Sequence, residues 1–267
     1  MRRKVKEFFS LKAISHLRYI PAIIYHIKNW PLFILNYIGI KNQGYTYFFR
    51  NGIKIKTHEG VDSVTIAAIF FKKVYGDVSP NATVIDIGAN IGIYSIFAAF
   101  KKCCVYAYEP EVSNFNLLLE NIRLNNFEKN IFPFRKGVSG KEGERNLYLE
   151  LSPFHSLYPK FSNDRDENTI KVHCIPLKKI FDENKIESCD ILKLDCEGAE
   201  FEILYNTPDE YFKKIREIRL EHHNQTINKN YNIKTLLTFL RTKLFMIVNL
   251  KKESENIGNV WLQNELK

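Results

Sequence analysis

Several things are missing from this sequence, and each absence removes a class of protein. The five cysteines form no C-x-x-C pair and their number is odd, so neither a disulfide framework nor a cysteine-rich zinc site is expected. Reduced thiols in the cytoplasm are the simple reading. No stretch offers the ~18–20 largely uncharged apolar residues of a membrane-spanning helix. The most apolar segment, 19–40, is interrupted by Pro21, His26, Lys28, Asn29, Pro31 and Asn36. The apolar core of a cleavable leader fails to form for the same reason, because Phe8 and Phe9 are soon followed by Lys12, His16 and Arg18. Repeats and low-complexity tracts are absent. Acids are nearly missing from the first 50 residues, where nine Lys and Arg face Glu7 alone, while residues 51–267 carry 30 bases and 29 acids. The net charge of +9 therefore belongs to an N-terminal arm. A body so close to neutral argues against nucleic acid as a partner.

What is present is a 267-residue chain, 45% hydrophobic and 26% charged, long enough to bury a core without covalent staples. Residues 1–50 read as a basic arm of two short amphipathic helices that caps the body. Peripheral membrane contact through residues 1–40, with basic side chains at anionic headgroups, is the alternative. The Pro breaks and scattered polar residues favour the cap, since they leave no single long apolar face.

Residues 51–267 read as one body. An exposed strand is expected over 52–56 and a helix over 61–75, followed by strand–helix–strand–helix–strand over 83–87, 91–102, 104–108, 114–125 and 131–134. Short apolar, β-branched runs bounded by Pro, Asn and Gly read as buried parallel strands. This order predicts an α/β fold, a Rossmann-like αβα sandwich. Beyond it, 146–151 and 169–175 read as antiparallel partners around a polar loop. A helix over 177–184, a strand over 190–194, a helix over 199–206 and a strand over 215–220 follow. Helix 235–242 leads into a terminal antiparallel hairpin over 243–250 and 259–263.

The informative segment runs from Val84 to Ser95, where a strand ends, a glycine loop turns and a helix begins. Gly88 permits close backbone approach and Gly92 permits tight helix–strand packing. The spacing is Gly-x-x-x-Gly, without the middle glycine of a dinucleotide pyrophosphate loop. Asp86 at the strand end would repel a pyrophosphate and attract a cationic amino-acid moiety. Glu109, at the end of the next strand, is placed to take both hydroxyls of a ribose. Together these residues point to a nucleoside carrying an amino-acid tail and count against a nicotinamide-dependent oxidoreductase. A binding protein that kept the fold without its chemistry is the other alternative.

Val84–Ser95 resembles motif I of class I S-adenosylmethionine-dependent methyltransferases, and Tyr108-Glu109-Pro110 resembles their ribose-binding strand end. The run Asp190-Ile-Leu-Lys-Leu-Asp-Cys-Glu-Gly-Ala-Glu200 is similar to the K-x-D-x-E-G-x-E signature of the FkbM family. Asp62 and Tyr75 fit that family's upstream pattern, and Glu221-His222 fits its fifth-strand end. Cys196 stands where the family more often has Val, Ile or Met. The resemblance spans roughly residues 60–263. It implies S-adenosylmethionine as cofactor, bound by Asp86, Gly88, Ala89, Asn90, Gly92, Tyr94, Glu109, Pro110, Val138 and Asp195. It also implies O-methyl transfer to a sugar, glycan or other natural product, so the expected partner is a small-molecule or glycan acceptor. Asp195, Glu197 and His222 are the catalytic candidates, with the base left open among them. Strand alternation lets only one of His222 and His223 face a given side, and the family pattern selects His222. Glu200 is a brace for the loop or a carboxylate at a helix N-terminus. His155-Ser156-Leu157 is similar to a loop over the cofactor side. No metal ligand set is assigned, although Asp195 with Glu221 is the pair a hard divalent cation would choose.

Overall fold

The structure, a computed structural model, describes residues 18–60, 62–149, 169–224, 228 and 230–267. His155, Ser156 and Leu157, the polar loop after them and the first 17 residues lie outside the described residues. The chain divides into two compact units, Met1–Val74 and Tyr75–Lys267. The compositional break at residue 50 is not that boundary. Residue 50 lies in the turn between two paired strands of the first unit, because charge composition and packing obey different constraints.

In the first unit, helices α1 (Ile20–His26) and α2 (Trp30–Tyr37) precede a hairpin of β1 (Thr46–Phe48) and β2 (Lys54–Lys56) and helix α3 (Asp62–Phe70). Both α1 and α2 carry proline in the first turn, where a missing N–H is harmless. Strand β2 alternates exposed Lys54, buried Ile55 and exposed Lys56. Ile23, Ile27, Phe33, Tyr47, Phe49, Ile55 and Ile66 are buried. The Phe33 and Tyr47 rings meet edge to face at 4.8 Å. The apolar stripe of the arm is thus used inside this unit, while Ile24, Tyr25, Ile38 and Ile40 remain exposed. Among the described residues no helix is long and apolar enough to cross a membrane.

The second unit contains β3 (Thr83–Ile87), α4 (Ile93–Ala99), β4 (Cys104–Tyr108), α5 (Val112–Leu124), β5 (Ile131–Phe134), β6 (Gly137–Val138), β7 (Gly143–Tyr148) and β8 (Thr169–Ile175). It continues with α6 (Leu177–Glu183), β9 (Cys189–Leu194), α7 (Glu200–Tyr205), α8 (Asp209–Phe212), β10 (Ile215–His223), α9 (Ile233–Thr242), β11 (Phe245–Lys252) and β12 (Ile257–Asn264). The seven-stranded sheet has the order β11-β12-β10-β9-β3-β4-β5. Strands β10, β9, β3, β4 and β5 run parallel, and β12 lies antiparallel between β10 and β11. This is the mostly parallel α/β sheet with a terminal antiparallel hairpin that the sequence implied. A three-stranded sheet, β6-β8-β7, is inserted after β5.

Several element ends differ from the sequence reading: the helix expected over 61–75 ends at Phe70, and the strand expected over 146–151 is Gly143–Tyr148. Helix α5 starts at Val112, ahead of the expected 114, because Glu111 is its N-cap and accepts the Asn114 N–H at 2.7 Å. Strand β10 continues through His223, held by β12 in the register His222↔Gly258 and His223↔Ile257.

The chain builds outward from β3 through β4 to β5, then returns to place β9 on the opposite side of β3. That reversal opens a crevice beyond the carboxyl ends of β3 and β9. One sheet face is apolar: Ile85, Ile87, Leu192, Leu194, Ile218 and Leu220 join one core with Phe201, Leu204, Leu236 and Leu240. The alternate positions on the same strands, Asp86, Lys193, Arg219 and Glu221, form a polar face leading to the crevice.

Candidate functional site

The register of β3 on β9 sets Asp86 beside Lys193. Lys193 Nζ lies 3.0 Å from Asp86 Oδ1 and donates to the Gly88 carbonyl at 2.8 Å. Ser95 Oγ donates to Asp86 Oδ2 at 2.7 Å. The two charged residues are 0% and 3% exposed. Burial pulls the Lys193 ammonium down, but Asp86 and Asp195 outweigh it and hold the pKa above its ordinary value. Asp86, expected to meet the amino-acid end of a cofactor, is instead sealed beneath the loop and pins it through Lys193. Ser95 of α4 and Lys193 of β9 close over this side chain.

The loop after β3 turns through three left-handed residues, with φ of 74° at Gly88, 52° at Asn90 and 87° at Gly92. A Cβ at Gly88 would overlap the Asp195 carbonyl, and one at Gly92 would overlap Leu118. Glycine is therefore required at both places by close approach as well as by backbone conformation. The Gly88 and Ala89 N–H groups both donate to the Tyr108 carbonyl at 3.0 Å. Glu109 accepts the Asn90 N–H at 2.8 Å and the Glu111 N–H at 3.0 Å. It is 5% exposed, and burial pushes its carboxyl up to about 7 against those hydrogen bonds. A buried carboxylate at this strand end, beside a loop bare of long side chains, fits a nucleoside whose hydroxyls would donate to it. Gly88, Asn90 and Pro110 remain partly exposed along this rim, while Ala89 is buried.

Two further expected cofactor residues, like Asp86, do not face open space. Tyr94 is 2% exposed within α4, its ring edge-on to Tyr75 at 5.5 Å. Val138 is 4% exposed and belongs to the core with Ile175 and Tyr108. Both are apolar-faced residues next to polar motifs, and sequence position alone does not separate core from rim.

Asp195, Cys196 and Glu197 follow β9 and are half-buried at the crevice. Tyr75, at the start of the second unit, donates its hydroxyl to Asp195 Oδ2 at 2.7 Å and lies 3.2 Å from Glu221 Oε2. A phenol has one hydrogen, so a proton on Glu221 completes the second contact while the first is made. Burial, reinforced by Asp195, pushes the Glu221 carboxyl up to about 8.

His223 completes the cluster. Its Nδ1 is 3.3 Å from Glu200 Oε1, and its Nε2 is 3.4 Å from Glu197 Oε2 and 3.8 Å from Glu221 Oε1. Burial pulls the imidazole down, but Glu200, Glu197 and Asp195 outweigh it and carry the pKa up to about 10. Glu200 is 0% exposed; it accepts the Cys196 N–H at 3.0 Å and the Gly198 N–H at 2.9 Å. Burial raises the Glu200 carboxyl, yet His223 and these N–H groups leave it below the ordinary value. Glu200 fills both roles offered by the sequence: it braces the loop and it is a carboxylate in the first turn of α7.

His222, the expected catalytic histidine, is not in this cluster. It is 2% exposed on the face of Ile218 and Leu220, opposite Gly258. Burial and the neighbouring His223 charge lower its pKa. The signal was legible: Glu217, Arg219 and Glu221 alternate with Ile218 and Leu220, and that alternation carried two residues further puts His223 on the polar face. Tyr75, Lys193 and His223 are the site residues that motif reading left without a role. Ligand atoms of Asp195, Glu197 and His223 lie within 4.8 Å of one another, and the ring has a carboxylate near each of its nitrogens.

A family model described as the methyltransferase FkbM domain matches residues 86–247, well over half of the chain. Methyltransferase sdnD of Sordaria araneosa is 25% identical over 193 residues, covering 58% of this chain and 74% of that protein. The hexuronic acid methyltransferase AglP of Haloferax volcanii is 28% identical over 119 residues, covering 45% of this chain and 47% of that protein. The crystal structure of an FkbM methyltransferase from Methylobacillus flagellatus superposes with a TM-score of 0.48 at 16% identity, over 74% of this chain and 47% of that one.

Proposed function

The chain belongs to the FkbM methyltransferase family, and on that premise we propose that it methylates a hydroxyl oxygen of a sugar, glycan or related natural product. The cofactor is S-adenosylmethionine, which supplies a methyl group already activated on a sulfonium. The protein's share of the work is alignment and removal of one proton. Glu109 is the acceptor for ribose hydroxyls, and the loop 88–92, bound to β4 through the Tyr108 carbonyl, borders the same space.

The observation that carries the oxygen-acceptor reading is the carboxylate group at the crevice. Asp195 and Glu197 are half-buried, adjacent to the glycine loop and partnered from behind by Tyr75 and His223. Carboxylates so placed orient a hydroxyl by accepting from it and take its proton as the oxygen attacks. An excess of acidic groups over the single imidazole also suits a cationic sulfonium nearby. The AglP relative, named for a hexuronic acid, supports a sugar as the acceptor class.

Calorimetry with purified protein tests the cofactor: S-adenosylmethionine and S-adenosylhomocysteine should bind and raise the melting temperature, and NAD(P) should do neither. A preference for NAD(P) would overturn the reading. Methyl transfer from labelled S-adenosylmethionine to a panel of methyl glycosides and free uronic acids tests the acceptor class. Transfer to nitrogen-containing acceptors alone would remove the hydroxyl.

A further inference from the structure

Glu197 has a conformation that asks for an explanation. Its φ is 54°, in the left-handed region, although it is not glycine and Gly198 beside it has a φ of 107°. A side chain in that region is uncommon and persists where its surroundings hold it. Here the surroundings are two residues outside the expected catalytic set. Glu200 ties the loop backbone on either side of Glu197 through the Cys196 and Gly198 N–H groups. His223 spans the gap between the fully buried Glu200 and the Glu197 carboxylate, one nitrogen toward each.

We propose that His223 is a positioning residue of the methyl-transfer site, a clamp that Glu200 orients and that fixes the Glu197 carboxylate as the proton acceptor. The inference deepens the hydroxyl-methylation reading and rests on it. In the step so assigned, the acceptor oxygen forms a bond to the methyl carbon and the carbon–sulfur bond breaks. Its electron pair stays on sulfur, leaving a neutral thioether, and the hydroxyl proton moves to Glu197. No other reactant is needed. In this step the ring takes no proton. It meets Glu200 from α7, Asp195 and Glu197 from the loop after β9, and Glu221 and His222 on its own strand. Behind Asp195 stand the Tyr75 hydroxyl and, at 4.0 Å, the Lys193 ammonium. The surrounding carboxylates are what keep the ring cationic.

The test uses the full chain. Ring resonances from ¹⁵N-histidine NMR, assigned by loss in His223→Gln, should show His223 still charged at pH 8 and titrating at least two pH units above the ordinary value of about 6.5. Glu200→Gln and Glu197→Gln should each lower that titration. A His223 ring titrating at the ordinary value overturns the clamp. Turnover is then read on whichever methyl glycoside or uronic acid of the panel the wild type methylates. His223→Gln should lower kcat about a hundredfold, leave the S-adenosylmethionine dissociation constant within twofold by calorimetry, and abolish the loss of kcat as pH approaches the ring's titration. Unchanged kcat in that variant overturns the proposal. So does a wild-type kcat that rises through the same window, which would make the ring itself the base. Absence of turnover by the wild type with every hydroxyl of the panel counts against the function reading and takes this proposal with it.

Discussion

Two groups of charged residues sit a few residues apart at the carboxyl ends of β3 and β9, and they are built on opposite principles. Asp86 and Lys193 are sealed, one charge against one, with Ser95 donating to Asp86 and Lys193 donating to the Gly88 carbonyl. Asp195, Glu197 and Glu221 border the crevice and, with the buried Glu200 behind them, set four carboxyls around the one imidazole of His223. The sealed pair stabilises the glycine loop because its charges balance where water is excluded. The open cluster tolerates imbalance because part of it faces solvent, and the imbalance displaces the titration of its members. Residues two apart on β9, Lys193 and Asp195, belong one to each group. The same strand face is scaffold within the sheet and site where the sheet ends.

Lys193→Met should have the largest effect on the sealed pair. That change leaves Asp86 buried without its cation and should destabilise the protein by about 3–5 kcal/mol, measured by urea unfolding; retention of wild-type stability would mean that Asp86 is not sealed. On the open side, Glu197→Gln should reduce turnover about a hundredfold, with melting temperature and cofactor affinity nearly unchanged. A variant that unfolds instead would transfer Glu197 to the scaffold. Gly258→Ala probes the histidine turned away from the cluster: a Cβ there would stand 2.9 Å from His222 Nε2 and 2.6 Å from the Lys251 carbonyl. It should cost about 1–3 kcal/mol of stability without altering the pH dependence of turnover. Ser95→Ala removes one hydrogen bond to Asp86, and a loss of about 1 kcal/mol is expected.

The pH dependence sharpens the contrast further. Glu221 has a folded pKa of about 8, above its ordinary value. Its contribution favours the folded state fully below the ordinary carboxyl range and is lost as pH rises through about 8. Glu221→Gln should therefore melt higher than the wild type at pH 9 and lose that advantage by pH 5. An advantage that does not change with pH would show that Glu221 is ionised throughout.

Much of this arrangement was legible before any coordinates. The strands 83–87, 104–108 and 131–134 and the terminal hairpin could be drawn from β-branched runs and punctuation, because a buried parallel strand leaves a short apolar signature. Gly88, Gly92 and Glu109 stood out as a loop and a strand-end acid. Less legible were the roles of Asp86, Tyr94 and Val138, which lie inside motif segments but point into the protein. A motif fixes a position along the chain and not the direction of a side chain. The choice of His222 over His223 failed for the same reason, although Ile218 and Leu220 already recorded the pleat. Tyr75 is 120 residues from the carboxylate it touches, a separation over which local pattern carries no register.

The sequence by itself determined the alternation of strand and helix, the glycine loop, the acids at the strand ends and membership of a methyltransferase family. These depend on local backbone preference and on periodic burial, both written in neighbouring residues. Tertiary structure alone decided that Asp86 is closed off by Lys193, that Tyr75 holds Asp195, and that Glu200 and His223 stand behind Glu197. Those facts depend on which strands lie side by side. Charges separated by 23 residues between Glu200 and His223, or by more than a hundred between Asp86 and Lys193, interact only after the sheet has brought them into register and excluded the water between them.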